Sequence, residues 1–229
     1  MTRRPRVGVL AIQGDIEAHA RALARVGADA ELVLWPKQLA GIDALVLPGG
    51  ESTTIHKLME SEELVEPIRA FHAGGGAIYG TCAGLITVAR DTVEGYPPTL
   101  GIMDIVARRN AFGRQVASFE ADLAVKGVAG APVCAVFIRA PWIERAGPGV
   151  EVLAEHAGHA VAARQGSVLV TAFHPELTDD ARLHELFVAM IRRRDGAAGA
   201  SEAGTGAPGA AEPDRHAARR AQPAAIRNR

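Results

Sequence analysis

A cysteine between two glycines is the first feature of this sequence that could carry out chemistry. Residues 76–85 read GAIYGTCAGL, so Cys82 follows an apolar, strand-like run and precedes a helix-forming one. This order is typical of a nucleophile elbow, a tight strand-to-helix turn where side chains in place of Gly80 and Gly84 would collide with the backbone. The backbone N–H of Ala83 is then placed to donate to a developing oxyanion. A buried structural cysteine would also fit the pattern.

A thiol nucleophile needs a base, and the segment TAFHPEL supplies a candidate. His174 and Glu176 stand at the end of an apolar, strand-like run. In an extended segment alternate side chains share a face, so Glu176 could orient the imidazole of His174 as the third member of a triad. Taken singly, the two would be an ordinary surface histidine and acid. We expect the other histidines on helix faces, in loops or in the tail: His19, His56, His72, His156, His159, His184 and His216.

These residues must be positioned by the elements around them, and the first half of the chain alternates strands with helices. This rhythm predicts a parallel sheet with helices on both faces. Beyond Pro97 the pattern changes to strand-turn-strand material before a closing helix over 178–194, for which Thr178 is the expected cap. Predicted strands cover 6–12, 30–35, 44–50 and 77–81; predicted helices cover 15–27, 53–76 (capped by Ser52 and kinked near Pro67) and 83–90.

Composition limits the class of protein. The 229 residues carry 25 basic and 26 acidic side chains, a net charge of −1, which gives no reason to expect nucleic acid or an anionic membrane as partner. No run approaches the roughly 18 apolar residues of a membrane span. Gln13 and Asp15 interrupt the apolar run after the basic N-terminus, which favours a strand over a signal peptide. Two cysteines, with no zinc-like Cys/His spacing, indicate a reducing, cytoplasmic setting without a metal site.

The composition changes near Asp195. Residues 195–229 are mainly Ala, Gly, Pro and Arg, with Ile226 as the single large aliphatic residue. Such a segment cannot bury enough apolar surface to offset the entropy lost on ordering. We therefore expect one folded domain over residues 1–194 and a disordered tail over 195–229. A tail that folds on a partner is the alternative.

The cysteine elbow with a distal His-Pro-Glu resembles the class I, triad-type glutamine amidotransferases. The resemblance narrows to the glutaminase subunits of pyridoxal 5′-phosphate synthases and covers roughly residues 6–194. It implies a flavodoxin-like α/β/α sandwich with a mostly parallel central sheet. The segments that carry it are LAIQGD, LPGGESTT, GTCAGL, RRNAFGRQVASFEADL, VFIRAP and TAFHPEL, among which GGESTT and FGRQ are the most specific.

The resemblance also implies roles for single residues. Cys82 corresponds to the nucleophile, His174 to the general base and Glu176 to its orienter. Backbone N–H groups of Gly50 and Ala83 correspond to the oxyanion hole. The implied substrate contacts are Gly50, Glu51, Ser52, Arg109, Ile138 and Arg139, of which the arginines suit a carboxylate.

Other positions concern the partner and the departures from the family pattern. Gln13 corresponds to a residue near the face that meets the synthase subunit. Arg108 and Ala111 stand where the family pattern has an acid and a serine, and both flank Arg109. Without the resemblance, the loop at Gly50 would be a turn before a helix, and the arginines would be solvated surface charges.

The implied reaction is hydrolysis of L-glutamine to L-glutamate and ammonia through a cysteinyl thioester. The ammonia would be channelled to a synthase subunit that makes pyridoxal 5′-phosphate, and this chain would bind no cofactor and no metal. Two alternatives stay open: a triad amidotransferase or hydrolase that serves a different acceptor, and a non-enzymatic binding relative of the same sandwich.

Overall fold

The structure is a computed structural model that describes residues 3–113 and 118–203, with the backbone alone over 194–203. The strands are β1 Arg6–Leu10, β2 Asp29–Val33, β3 Ala44–Leu47, β4 Ala77–Thr81, β5 Ala89–Thr92, β6 Met103–Arg108, β7 Ser118–Leu123, β8 Val133–Ile138, β9 Trp142–Ala146, β10 Glu151–His156, β11 His159–Gln165 and β12 Val168–Thr171. The α-helices are α1 Ile16–Arg25, α2 Ser52–Ser61, α3 Val65–Ala73, α4 Ala83–Val88 and α5 Arg182–Ala203; Pro36–Gly41 and Pro175–Leu177 are 3₁₀ helices.

The main sheet has the order β2-β1-β3-β4-β12-β11-β9-β6-β5, and β10 pairs with β11. Its first five strands run parallel, whereas β12 to β11 and β11 to β9 are antiparallel. The strands β7 and β8 form a separate antiparallel pair. The predicted α/β fold with a mostly parallel central sheet is confirmed, and the antiparallel extension is built from the strand-turn-strand material beyond Pro97.

Helices cover the parallel part of the sheet in two groups. Helix α1 packs against β1, β2 and α5, whereas α2 packs against α4, which in turn contacts β3 and β4. Crossover connections between parallel strands are right-handed. The connection from β1 to β2 crosses the sheet in one direction and the connection from β3 to β4 crosses it in the opposite direction, so the two groups of helices lie on opposite faces. Every residue of β3, β4 and β12 is buried, as expected for strands covered on both faces.

Three predicted helix details are wrong. The predicted helix over 53–76 is two helices, and the break between them lies at Glu63, whose φ is +54°. It does not lie at Pro67, because this residue is in the first turn of α3, where no backbone donor is needed. The cap of α2 is Glu51, whose carboxylate accepts from the Thr53 N–H at 3.4 Å, while Ser52 is the first helical residue. The last helix begins at Arg182 and not at Thr178, which follows the 3₁₀ helix.

The last helix also runs past the predicted domain boundary at Arg194, to Ala203. The predicted tail over 195–229 lies outside the described residues from position 204 onward. The boundary at Arg194 therefore stays a prediction. Over residues 3–113 and 118–203, none of the helices is long and apolar enough to span a membrane.

Candidate active site

The predicted site residues are brought together by the carboxyl ends of neighbouring parallel strands. Gln13 follows β1, Gly50 follows β3, Cys82 follows β4 directly and His174 follows β12. These four strands are adjacent in the sheet and parallel, so their carboxyl ends lie along one edge. After β1 and β2 the chain changes the direction in which it adds strands to the sheet. In doubly wound sheets such a switch point opens a crevice at the carboxyl ends of the strands.

Cys82 occupies the turn that the sequence predicts. Its φ is +50° and its ψ is −103°, a strained conformation for a residue other than glycine, and helix α4 begins at the next residue. A Cβ on Gly80 would lie 2.5 Å from the carbonyl oxygen of Gly84, and one on Gly84 would lie 2.1 Å from that of Leu47. The two glycines are therefore required for the close approach of strand, turn and helix. This close packing on both sides of Cys82 holds its thiol at the edge of the sheet.

His174 and Glu176 form the predicted pair, but the prediction that they meet on one face of an extended segment is wrong. Glu176 belongs to the 3₁₀ helix Pro175–Leu177 and not to an extended segment. The turn still brings its Oε1 to 2.7 Å from His174 Nδ1, which donates the hydrogen bond. The backbone N–H of His174 also donates to the carbonyl of Val136 in β8, at 2.8 Å. These bonds fix the ring and leave Nε2 as the nitrogen for Cys82.

The charges of this pair follow from competition between burial and hydrogen bonding. Burial alone would lower the pKa of His174, but hydrogen bonds to Cys82 and Glu176 outweigh it and raise the pKa to about 10. Burial would raise the pKa of Glu176, but hydrogen bonds from His174 and His19 hold it well below its ordinary value. The site therefore favours an imidazolium at His174, held between the Glu176 carboxylate and the side chain of Cys82.

Two histidines that the sequence placed on helix faces or in loops lie buried behind this pair. His19 Nε2 is 3.5 Å from Glu176 Oε1 and 3.2 Å from Thr81 Oγ1, and His19 Nδ1 is 3.0 Å from His184 Nε2. Neither ring is exposed to solvent. A signal was available for His19, because it shares the buried stripe of α1 with Ala22 and Leu23 at helical spacing.

The residues face a cavity of about 310 Å³. It also takes in Ile86, Asn110 and Pro141, which the sequence analysis did not single out. Glu176 lies behind His174 and does not line the cavity. A larger cavity of about 810 Å³, beside Phe71, is elsewhere in the fold and carries no nucleophile. All the other predicted site residues line the cavity of about 310 Å³: Gln13, Gly50, Glu51, Ser52, Cys82, Ala83, Arg109, Ile138, Arg139 and His174.

Glu51 links three parts of the cavity wall. Arg109 Nη2 donates to the carboxylate oxygen of Glu51 that also caps α2, at 3.1 Å. The backbone N–H of Glu51 donates to Gln13 Oε1 at 3.2 Å. Gly50, between these contacts, has a φ of +152°, a conformation that favours glycine. The loop after β3, the loop after β1 and Arg109 thus form one hydrogen-bonded unit.

The departures at Arg108 and Ala111 do not displace Arg109. Arg108 turns to Glu144 on the neighbouring strand β9, with its Nε 2.8 Å from the carboxylate. The backbone N–H of Ala111 donates to the carbonyl of Ala140 at 2.9 Å, which ties this loop to the segment after β8. On that segment Arg139 has a φ of +43°. Arg109 and Arg139 therefore both line the cavity from loops joined by a backbone hydrogen bond.

Over the part of the chain that the structure describes, no group of three or more His, Cys, Asp or Glu side chains is arranged to hold a metal ion. Cys134, the other cysteine, lies in β8, where burial and the carboxylate of Glu120 raise its thiol pKa. The groups that the fold brings together are thus a thiol, an imidazole and a carboxylate, with two arginines at the cavity wall.

Comparison with known proteins places these features in a family. Residues 9–193 match the model of the SNO glutamine amidotransferase family. The pyridoxal 5′-phosphate synthase subunit PdxT of Frankia alni is 60% identical over 190 residues, covering 82% of this chain and 96% of its own length. The PdxT subunit of Parafrankia sp. is 58% identical over 190 residues, covering 82% of this chain and 94% of its own.

A solved structure agrees with the sequence relatives. The crystal structure of a glutamine amidotransferase is 47% identical, covers 81% of this chain and 98% of its own chain, and superposes with a TM-score of 0.77. This similarity confirms the flavodoxin-like sandwich expected from the sequence, and the family resemblance is confirmed with it. The chain belongs to the SNO glutamine amidotransferase family.

Proposed function

We propose that this chain is the glutaminase subunit of a pyridoxal 5′-phosphate synthase and hydrolyses L-glutamine to L-glutamate and ammonia. The proposal depends chiefly on the alignment of Cys82, His174 and Glu176 at one edge of the sheet, beside a closed-in cavity. The relatives at 58–60% identity carry the name of that subunit. Because the cysteine has both a base and an orienting acid, a binding protein that kept the fold without turnover is the weaker interpretation.

The reaction begins with the Cys82 thiolate, which attacks the side-chain amide carbon of glutamine. The imidazolium of His174 donates its Nε2 proton to the departing ammonia, and the C–N bond breaks to leave a cysteinyl thioester. His174, now neutral, accepts a proton from water as the hydroxide adds to the thioester. Release of glutamate restores the thiolate and the imidazolium. Glu176 accepts the Nδ1–H bond throughout and favours the charged ring.

The negative charge of each tetrahedral intermediate needs donors that are already in place. The backbone N–H of Ala83, at the start of α4, is one of them, and the backbone N–H of Gly50 is the second. A single donor of this kind contributes about 2.7–4 kcal/mol to transition-state stabilisation. The loop at Gly50 is therefore expected to contribute to turnover together with the triad.

Charged groups at the cavity wall match the backbone end of an amino acid. Arg109 and Arg139 bind the α-carboxylate, and Glu51 binds the α-ammonium group. Ile138, which is 38% exposed and whose carbonyl oxygen lies 3.9 Å from Cys82 Sγ, contacts the aliphatic part of glutamine. The pair of Glu51 and Arg109 is preformed, so the substrate inserts between groups that are already oriented.

The ammonia passes to a synthase subunit within a hetero-oligomeric complex. Channelling follows from chemistry, since ammonia released into water near neutral pH is mostly ammonium and no longer a nucleophile. Gln13, on the loop after β1, lies close to the face that meets this partner. Each step is assigned to side chains and backbone of this chain without a cofactor or metal, and the complex works in the cytoplasm.

Isotope transfer tests the proposal. The chain is mixed with the synthase subunit from the same organism, ribose 5-phosphate, glyceraldehyde 3-phosphate and glutamine labelled with ¹⁵N in its side-chain amide. We expect labelled pyridoxal 5′-phosphate and an equal amount of glutamate, even in an excess of unlabelled ammonium. Glutamate without labelled product would indicate a different acceptor, and no glutamate at all would contradict the glutaminase assignment. Cys82→Ala is the inactive control.

A further inference from the structure

A second imidazole contacts the carboxylate of Glu176 in the protein interior. His19 Nε2 lies 3.5 Å from Glu176 Oε1, the same oxygen that accepts from His174 Nδ1. The side chains of His19 and Glu176 are 0% and 1% exposed, so water does not compete for this contact. Within the described residues, Glu176 Oε2 has no hydrogen-bond partner. The orientation of the carboxylate therefore depends on the two imidazoles that meet at Oε1.

The proton positions in this cluster follow from its partners. His184 is buried beside His19, and burial lowers its pKa to about 3, so the ring is neutral. Its Nδ1 has no partner in the described structure, whereas its Nε2 faces His19 Nδ1 at 3.0 Å. The proton of His184 is best placed on Nε2, where it is donated to His19. His19 then carries its own proton on Nε2, which faces Glu176 and Thr81.

We propose that His19 is a positioning residue of the triad: its Nε2–H holds the carboxylate of Glu176 in the orientation that accepts the Nδ1–H of His174, and His184 fixes the tautomer of His19. The inference rests on the proposed function, because Glu176 needs this orientation only if His174 acts as a base. It extends the triad by two residues from elements that the sequence did not connect with it.

The elements joined by this cluster explain why it would matter. His19 lies on α1, His184 on α5, and Thr81 is the last residue of β4, directly before Cys82. The hydrogen bond from His19 Nε2–H to Thr81 Oγ1 therefore couples the nucleophile turn to helix α1, which supports Glu176. A shift of the carboxylate by a fraction of an ångström would be transmitted to His174 and to the reacting sulfur, and small misplacements of this kind are costly in catalysis.

The ionisable groups around the cluster set the expected pH behaviour. His174 and Glu176 form the ion pair, and Tyr79 lies edge-on to His184 at a ring distance of 5.7 Å. Arg25 lies close enough to disfavour a charge on His184. Loss of the donor from His19 removes one of the hydrogen bonds that favour the Glu176 anion. The pH below which the triad loses its reactive charge state then moves upward, towards neutrality.

Two variants of similar size and polarity test the proposal. His19→Gln can place an amide N–H near the position of Nε2, whereas His19→Asn places its amide near Nδ1 and leaves Glu176 without that donor. In the complex with the synthase subunit, we expect His19→Asn to lower kcat roughly tenfold, as expected from the loss of a hydrogen bond to a charged group, with KM unchanged. His19→Gln should retain most of kcat. Tyr79→Phe, which removes a buried hydroxyl beside His184 without touching Glu176, is the control for general damage to this layer.

A second readout separates this proposal from the glutaminase assignment. The rate at which iodoacetamide alkylates Cys82 is followed from acid to neutral pH, a measurement that needs no glutamine. We expect the acid limb of this profile, the pH range in which alkylation slows, to lie at higher pH in His19→Asn than in wild type, His19→Gln and Tyr79→Phe. Equal kcat values and equal limbs for His19→Asn and His19→Gln would overturn the positioning role. If the acid limb of His19→Asn is displaced although the wild-type chain shows no glutaminase activity, the result would support the positioning role and contradict the proposed function.

Discussion

Gly49 lies directly against the ring of His174. A Cβ at position 49 would be 2.3 Å from His174 Cε1 and 3.2 Å from Cys82 Cβ. The first distance is shorter than any real contact of a Cβ, so the loop after β3 can pass beside the base and the nucleophile only as glycine. The spacing of the two reacting groups is therefore set partly by a residue that has no side chain.

Gly49→Ala should inactivate the enzyme while the fold persists. The added methyl group pushes the imidazole away from Cys82, and a misplacement of about 1 Å can cost roughly 100-fold in rate. We expect at least that loss in kcat, measured as glutamate release in the complex. Gly41→Ala is the matched control, since its Cβ would meet only the flexible guanidinium of Arg6 at 3.1 Å. Retention of wild-type kcat by Gly49→Ala would contradict the conclusion that Gly49 sets the spacing of His174 and Cys82.

Cys82 should be the site of reaction with a glutamine-like electrophile such as a diazoketone. One label per chain is expected, located on Cys82 by peptide mass spectrometry, and Cys82→Ala should abolish glutamate release. Cys134 provides the internal control, because its thiol pKa is raised by burial and by the nearby Glu120 carboxylate. Labelling of Cys134 in preference to Cys82 would contradict the nucleophile assignment.

His174 and Arg139 should affect different kinetic constants. His174→Asn removes the base, which acts mainly in the transition state, so kcat should fall by about three orders of magnitude or more with the fold intact. Arg139→Ala removes a carboxylate contact that binds ground and transition states alike, so chiefly KM should rise. Arg139→Lys keeps the charge and should lie between wild type and Arg139→Ala. An unchanged KM in Arg139→Ala would exclude Arg139 from the substrate site.

The parts of the site that the sequence predicts are those set by local geometry. The need for Gly80 and Gly84 around Cys82 is a property of one turn, so it can be recognised without knowledge of the fold. His174 and Glu176 are two positions apart, and their contact survives although the segment is a 3₁₀ turn and not a strand. Residues assigned by family resemblance also reach the cavity, some from the same strands and others, such as Arg109 and Arg139, from the ends of β6 and β8.

The parts that the sequence does not predict depend on long-range packing. His19 and Glu176 are separated by most of the domain, so the helical spacing that marks His19 as buried does not reveal that it contacts a carboxylate. The break between α2 and α3 depends on Glu63 in a left-handed conformation, which is unusual for a residue other than glycine. Leu64, the next residue, is fully buried, so this turn also delivers a side chain to the core.

Acid should destabilise the fold through His184. The ring is neutral when folded, with a pKa lowered from 6.5 to about 3, so the unfolded chain binds a proton in this window that the folded chain does not. Stability contributed by the neutral ring is present above pH 6.5 and is lost as the pH falls towards 3, by at most about 1.4 kcal/mol per pH unit. The free energy of unfolding of His184→Leu, measured by urea titration, should fall less steeply than that of wild type over the upper part of this window. Parallel slopes would contradict a neutral buried His184.

The last prediction concerns activation by the synthase subunit. Gln13 Oε1 holds the backbone N–H of Glu51, and Gly14 packs so closely that a Cβ there would lie 2.2 Å from the carbonyl oxygen of Gly49. The loop after β1 therefore controls the peptide groups around Gly50, including the N–H proposed for the oxyanion hole. A partner that docks near Gln13 can shift this loop only by its different affinity for the two arrangements, typically about 1–3 kcal/mol.

Such a difference corresponds to roughly 5–150-fold stimulation of glutamate release when the synthase subunit is added. Gln13→Ala removes the link between the two loops, so the ratio of activities with and without the partner should fall towards one. Gln38→Ala is a matched control, because Gln38 bonds only backbone groups near the start of the 3₁₀ helix Pro36–Gly41, away from the cavity. Full activity of the isolated chain, insensitive to both the partner and Gln13→Ala, would refute the switch and would favour a hydrolase that acts alone.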